Sequence, residues 1–216
     1  MWLTRRVDDG ELGALLERLV AAAVQGHPPA PDLVADLVAA REGFEARAPV
    51  PADGVPYSRH VLLRGEHAEV MVARWRPSTP CAPHDHGGAS GAVTVLAGRF
   101  EEVRYAWDGD RLVPGAPAVR REAEVYTFGP EAIHAMCAGT EGGLTLHVYA
   151  PPPASMQVFD LDREEVLHLR GDYGAWVPPG DHERTPFAGH PGTSAAAPTA
   201  PASVHAPVIW VAHTTR

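Results

Sequence analysis

Lysine is absent from this 216-residue chain: all 18 basic side chains are arginine, set against 27 acidic ones for a formal net charge of -9. That balance argues against generic binding to a phosphate backbone, so no nucleic-acid partner is expected. Cysteine is scarce. Cys81 and Cys137 alone cannot form a disulfide framework, and they point to a reduced, cytoplasmic protein. No uninterrupted apolar run approaches the roughly 18 residues that cross a bilayer, so no membrane partner is expected either. Glu17 and Arg18 interrupt the N-terminal helical pattern where a signal peptide needs an apolar stretch. Charged residues make up 21% and apolar ones 45%, a balance that excludes a wholly disordered chain. Histidine, by contrast, is plentiful, at 12 positions.

The length suits one full-sized core with extensions, expected to act as a monomer. Leu12, Leu15, Leu16, Leu19, Val20 and Ala23 recur at the spacing of an amphipathic helix over residues 9–24, capped by Asp8 or Asp9 and ended by Gly26 with Pro28 and Pro29. A second short helix is expected from Asp32, with Leu33, Leu37 and Val38 turned inward. From about residue 57 the pattern changes to short strands separated by Gly, Pro and Asp, at 69–76, 92–96, 99–107, 124–128, 144–149 and 155–160. Such spacing predicts a mostly β sandwich or barrel, with the helices packed on one sheet face. Asp108-Gly109-Asp110 reads as a hairpin turn. The chain thus divides into a helical region (1–48), a β-barrel domain (49–187) and a tail (188–216). Residues 189–206 of that tail have a disordered composition, and an apolar patch at 207–211 reads as an added strand or a sticky tail.

His84-Asp85-His86 precedes Gly87-Gly88. In an extended strand, histidines at i and i+2 project from the same face and can reach one metal ion; two solvent-facing histidines beside a turn is the alternative. His134 lies beyond, in Gly129-Pro130-Glu131-Ala132-Ile133-His134. Further on, Thr145, His147 and Tyr149 alternate, so they share one strand face, opposite Leu144, Leu146 and Val148. That polar face reads either as a hydrogen-bond relay fixing the Tyr149 hydroxyl or as a buried tyrosine anchored by its neighbours.

The spacing from His84 and His86 through Gly91 to Gly98 resembles the first cupin motif, with Gly91 where a glutamate normally stands, and Gly129–His134 resembles a loosened second motif. Together with Tyr57-Ser58-Arg59-His60, Thr145-Leu146-His147-Val148-Tyr149-Ala150-Pro151-Pro152 and Phe159-Asp160, they resemble the cysteine dioxygenases over about residues 50–165. The resemblance implies a cupin jelly-roll barrel with N-terminal helices packed against it. It implies Fe(II) held by His84, His86 and His134. It also implies that Arg59 holds the substrate carboxylate, with Tyr57 lining the pocket nearby. Tyr149 sits over substrate and oxygen, supported by His147, with Thr145 in the place of the family's serine. The animal enzymes carry at position 91 a cysteine crosslinked to the tyrosine; Gly91 forbids that bond, as in bacterial-type members.

The implied chemistry is coherent. Three neutral imidazoles leave a dication its full charge, which favours an anionic thiolate and lowers the thiol pKa. Arg59 offers a planar fork that stays protonated, suited to a carboxylate. The expected activity is addition of both atoms of O2 to the sulfur of L-cysteine, giving cysteine sulfinate. The alternatives are a dioxygenase for 3-mercaptopropionate, where a glutamine tends to replace this arginine, and a metal-binding cupin without oxygenase activity. Cys81 and Cys137 are expected to be small buried residues.

Overall fold

The computed structural model describes residues 8–170 and 174–189. The Ala- and Pro-rich segment beyond residue 189 and its apolar patch at 207–211 lie outside the described residues.

Three helices come first: α1 (Asp9–Val24), α2 (Pro31–Ala39) and α3 (Arg41–Glu45). Asp8 caps α1, its side chain accepting from the Glu11 N–H. The second helix begins on Pro31, whose missing N–H costs nothing in a first turn. Ten strands follow: β1 (Tyr57–Arg64), β2 (Glu69–Trp75), β3 (Ser90–Asp108), β4 (Arg111–Pro114), β5 (Ala118–Arg121), β6 (Val125–Phe128), β7 (Ile133–Ala150), β8 (Ser155–Asp160), β9 (Glu165–Arg170) and β10 (Arg184–Pro186). The fold is a mostly β, cupin-type barrel with N-terminal helices packed against it. No described helix is long and apolar enough to cross a membrane.

Its organising feature is the antiparallel pair β3–β7, which the sequence pattern splits at Gly98 and between His134 and Leu144. Each is instead one strand, of 19 and 18 residues, running through a bulged corner. Glycine marks that corner without ending the strand. Gly98 holds a left-handed φ of 93°, and a Cβ there would lie 2.6 Å from the Gly142 carbonyl oxygen. Before the corner, β3 pairs with β6, and β7 pairs with β2, which continues to β1. Beyond it, β3 pairs with β4 and β5. There the other edge of β7 meets residues 80–84, which bridge to β8, and β8 continues through β9 to β10. The ribbon thus runs through one seven-stranded sheet, and residues 80–84 link its far half to the three-stranded sheet of β8, β9 and β10.

Strand alternation assigns the faces. Val70, Val72, Ala92, Leu96, Leu144, Leu146 and Val148 pack under the helices with Leu12, Leu16, Leu19, Leu37 and Phe44. Leu37 is completely buried, and such a side chain contributes roughly 2 kcal/mol. The opposite face, with Met71, Ala73, Trp75, Val93 and Tyr149, lines the inside. The 108–110 hairpin forms as expected, with Asp108 paired to Arg111 and Gly109 at φ 61°.

Candidate metal centre

Residues 80–86 and the start of β7 bring three histidines together. His84 and His134 lie opposite each other and exchange backbone N–H···O bonds of 2.9 and 3.0 Å. On the other side, the Phe159 N–H donates to the Pro83 carbonyl and the Asp85 N–H to that of Gln157, pinning this segment to β8. His86 follows two residues later. Ring centroids are 4.8 Å apart for His84–His134, 4.9 Å for His86–His134 and 5.2 Å for His84–His86. One nitrogen from each lies within 4.8 Å of the others.

All three rings are buried. Burial first, then the neighbouring His134, pushes His84 and His86 well below the ordinary histidine pKa, so both are neutral donors near pH 7. His84 Nδ1 lies 3.0 Å from the Ala82 carbonyl and His134 Nδ1 3.1 Å from Glu102 Oε1, which leaves Nε2 of each facing the cluster. His86 stacks on Phe128, with centroids 4.1 Å apart, and its Nδ1 has no protein hydrogen-bond partner among the described residues. A buried three-imidazole donor set of this kind fits a borderline transition metal such as iron or zinc.

A small cleft of about 50 Å³ opens beside His84 and His86, bordered by Tyr57, Arg59, Arg64 and Tyr149. Arg59 projects from β1 toward β2, its Nη2 2.9 Å from Glu69 Oε1 and its Nε 3.3 Å from Met71 Sδ. Glu69 is completely buried, and its other oxygen is 2.6 Å from Arg64 Nε. Both guanidiniums reach the one carboxylate of Glu69 at this corner of the cleft. Tyr57 borders it with its hydroxyl engaged, accepting from the Ala175 N–H at 2.8 Å.

The Thr145-His147-Tyr149 face is a hydrogen-bonded relay, and it has a fourth member. Trp75 Nε1, a donor only, lies 2.8 Å from Thr145 Oγ1. Thr145 is fully buried, and the other partner of its hydroxyl among the described residues is His147 Nε2 at 2.8 Å. The hydroxyl therefore donates to Nε2. His147 is pushed down to about 3, chiefly by burial and then by the charges of His134 and Arg59, so its single proton sits on Nδ1. That nitrogen is 3.3 Å from the Tyr149 hydroxyl, which accepts, leaving the tyrosine's own proton for the cleft. Burial, with Tyr57 nearby, raises the Tyr149 pKa and keeps it a phenol.

A pH dependence follows from His147. Between about 6.5 and about 3 the unfolded chain takes up a proton that the folded imidazole refuses, so its contribution is full above that window and falls as the pH drops through it. The slope for this one site is about 1.4 kcal/mol per pH unit. Denaturant unfolding between pH 7 and 5 should show a shallower slope in His147→Asn than in the parent; equal slopes would mean that His147 titrates normally.

Gly91 stands opposite Tyr149 in the β3–β7 register. A Cβ there would lie 2.2 Å from the Val148 carbonyl oxygen and 2.5 Å from the Phe128 ring. Phe128 fills that space and backs His86. Phe128, Glu69, Trp75 and Glu102 all escaped the sequence reading. The signal for Glu69 was its place in the alternation with Met71, Ala73 and Trp75. For Glu102 it was its place two residues after Phe100, on the face that alternation turns inward. Both cysteines are free and buried, as expected, and burial pushes the Cys81 thiol up to about 12.

The family description that fits the chain is Cysteine dioxygenase type I, matched over residues 16–162. Curated relatives include the "Cysteine dioxygenase type 1" of Homo sapiens and that of Pongo abelii, each 25% identical over 115 residues. The match covers 50% of this chain and 58% of the relative, so the chain spans little more than half the length of these relatives. Among solved structures, a conserved protein with a double-stranded beta-helix domain from Klebsiella pneumoniae is 21% identical, with a TM-score of 0.44 over 53% of this chain and 87% of that one.

Proposed function

The chain belongs to the cysteine dioxygenase type I family, and on that premise we propose that it is a thiol dioxygenase acting on L-cysteine, in the balanced reaction RSH + O2 → RSO2H. The observation that carries this reading is the adjacency of three buried histidines to a small cleft bordered by Arg59 and Arg64. His84, His86 and His134 would hold Fe(II). When bound, the iron supplies the redox chemistry with dioxygen and the positive charge that favours a thiolate; the protein supplies geometry and electrostatics.

The chain's own residues bind and orient. Arg59 meets the carboxylate with its fork, and Glu69 holds the guanidinium in place behind it. A guanidinium fork favours an acid tail over a neutral or positive one. Tyr149, its oxygen engaged by His147, directs its hydroxyl proton at the substrate. Trp75 sets the direction of the relay from behind. Met71 and Met156 line the cleft and contribute an apolar wall beside the sulfur. The buried free cysteines accord with a reducing compartment, the cytoplasm in this reading.

Substrate choice gives the test. A charge-assisted hydrogen bond contributes about 1.5–3 kcal/mol, and about 1.4 kcal/mol is a factor of ten. Cysteine should therefore exceed cysteamine, which lacks the carboxylate, at least tenfold in kcat/KM. It should also exceed 3-mercaptopropionate, by a smaller margin, because that analogue lacks the amine. Oxygen consumption with each thiol, alongside metal analysis of protein purified without added metal, checks both. Zinc without oxygen uptake would favour the non-oxygenase metal-binding cupin and reject the proposal. A preference for 3-mercaptopropionate would overturn the substrate and keep the reaction.

A further inference from the structure

Glu102 is a carboxylate buried inside the barrel, with 1% of its surface exposed. It sits on β3 opposite Met136, two residues from Arg104, which stands opposite His134; Glu102 and His134 are therefore diagonal neighbours on one face. Four contacts hold it. Oε2 accepts from Arg120 Nε at 2.8 Å and Nη2 at 2.5 Å, while Oε1 accepts from Arg104 Nε at 3.3 Å and faces His134 Nδ1 at 3.1 Å. Arg120 is itself fixed over the Tyr126 ring, 4.7 Å from its centroid. The two-pronged contact with Arg120 suits an ionised carboxylate.

An ion pair with Arg120 alone would not need a histidine on the other oxygen. The arrangement differs among the three clustered rings. His84 has a backbone carbonyl behind it and His86 an aromatic face, whereas His134 has a formal negative charge. An ionised carboxylate accepts only, so His134 keeps its proton on Nδ1 and turns the Nε2 lone pair toward His84 and His86.

We propose that Glu102, clamped by Arg120, is a positioning residue that sets the orientation and donor strength of His134 toward a divalent metal. The inference rests on reading the three histidines as a metal site, and not on which thiol is oxidised. Arg120 keeps the carboxylate from swinging away from the ring and tempers its charge, so His134 is strengthened as a donor.

Titration of the metal-free protein with Co(II), read by affinity and by ligand-field absorption, tests this without any turnover. Glu102→Ala should bind Co(II) 10–100-fold more weakly, with a shifted spectrum. Glu102→Gln has the same shape and keeps an acceptor for the Nδ1 proton; it should recover part of the affinity, and it carries the test if the alanine variant fails to fold. A lowered Tm with unchanged Co(II) affinity and spectrum would make Glu102 a purely structural residue and overturn the proposal. A parent protein with no affinity for Co(II) would overturn the metal reading and this inference with it, whereas cobalt binding without thiol oxidation would reject only the proposed reaction.

Discussion

His134→Ala is expected to lose its metal and to reduce oxygen uptake to background while leaving the β framework in place. The framework survives because His134 is held by its backbone: its N–H and carbonyl bond to His84, and these contacts do not need the imidazole. Glu102 loses one partner and keeps two guanidiniums, so no buried charge is stranded. Two imidazoles remain, one of them His86, whose Nδ1 has no hydrogen-bond partner among the described residues. Two neutral nitrogens are too few for a stable iron site in competition with buffer. His84→Ala and His86→Ala should behave alike. Elemental analysis paired with an oxygen electrode decides the matter, and a variant retaining full metal would remove that histidine from the ligand set.

Tyr149→Phe is expected to keep metal and substrate binding and to lose roughly 10²–10⁴-fold in turnover, the range for a positioned proton donor. The relay gives the reason. Trp75 can only donate, Thr145 passes the direction on, and neutral His147 presents Nδ1–H to the phenol oxygen. Removing the hydroxyl takes from the cleft the one proton this chain of bonds delivers. The ring itself stays, still packed near Phe128 and His86, so the pocket keeps its shape. Single-turnover kinetics with metal content held constant separates this from a loss of binding. Unchanged turnover would reduce the strand face to packing.

Much of this was legible in the chain because periodicity and chemistry coincided there. Thr145, His147 and Tyr149 alternate with Leu144, Leu146 and Val148, and the structure sends the second set beneath the helices and the first into the interior. The His84-x-His86 pair, which alone could be two solvent-facing histidines beside a turn, stood out only with the spacing through Gly91 and Gly98 and with His134 beyond it. What stayed hidden depended on register. Nothing local says that Trp75 lies diagonal to Thr145, or that Glu102 lies diagonal to His134, until β2 and β3 are both aligned on β7. Gly98 misled for a related reason. A glycine in an apolar run reads as a break, whereas two facing glycine segments can let one strand turn a corner with its ladder continuing beyond.

The ion-paired corner of the cleft also bears on how such a site can change over generations. Glu69 is fully buried between Arg59 and the half-exposed Arg64. Removing one partner of a buried pair typically costs about 3–5 kcal/mol, less here by whatever Arg64 retains. A lineage that exchanges Arg59 for a neutral residue therefore leaves the buried Glu69 with one ion-pair partner fewer, and a matching change at Glu69 would ease that cost. The arginine is thus entrenched by its neighbour as well as by the carboxylate it is proposed to hold, and a change of charge at this corner couples positions 59 and 69.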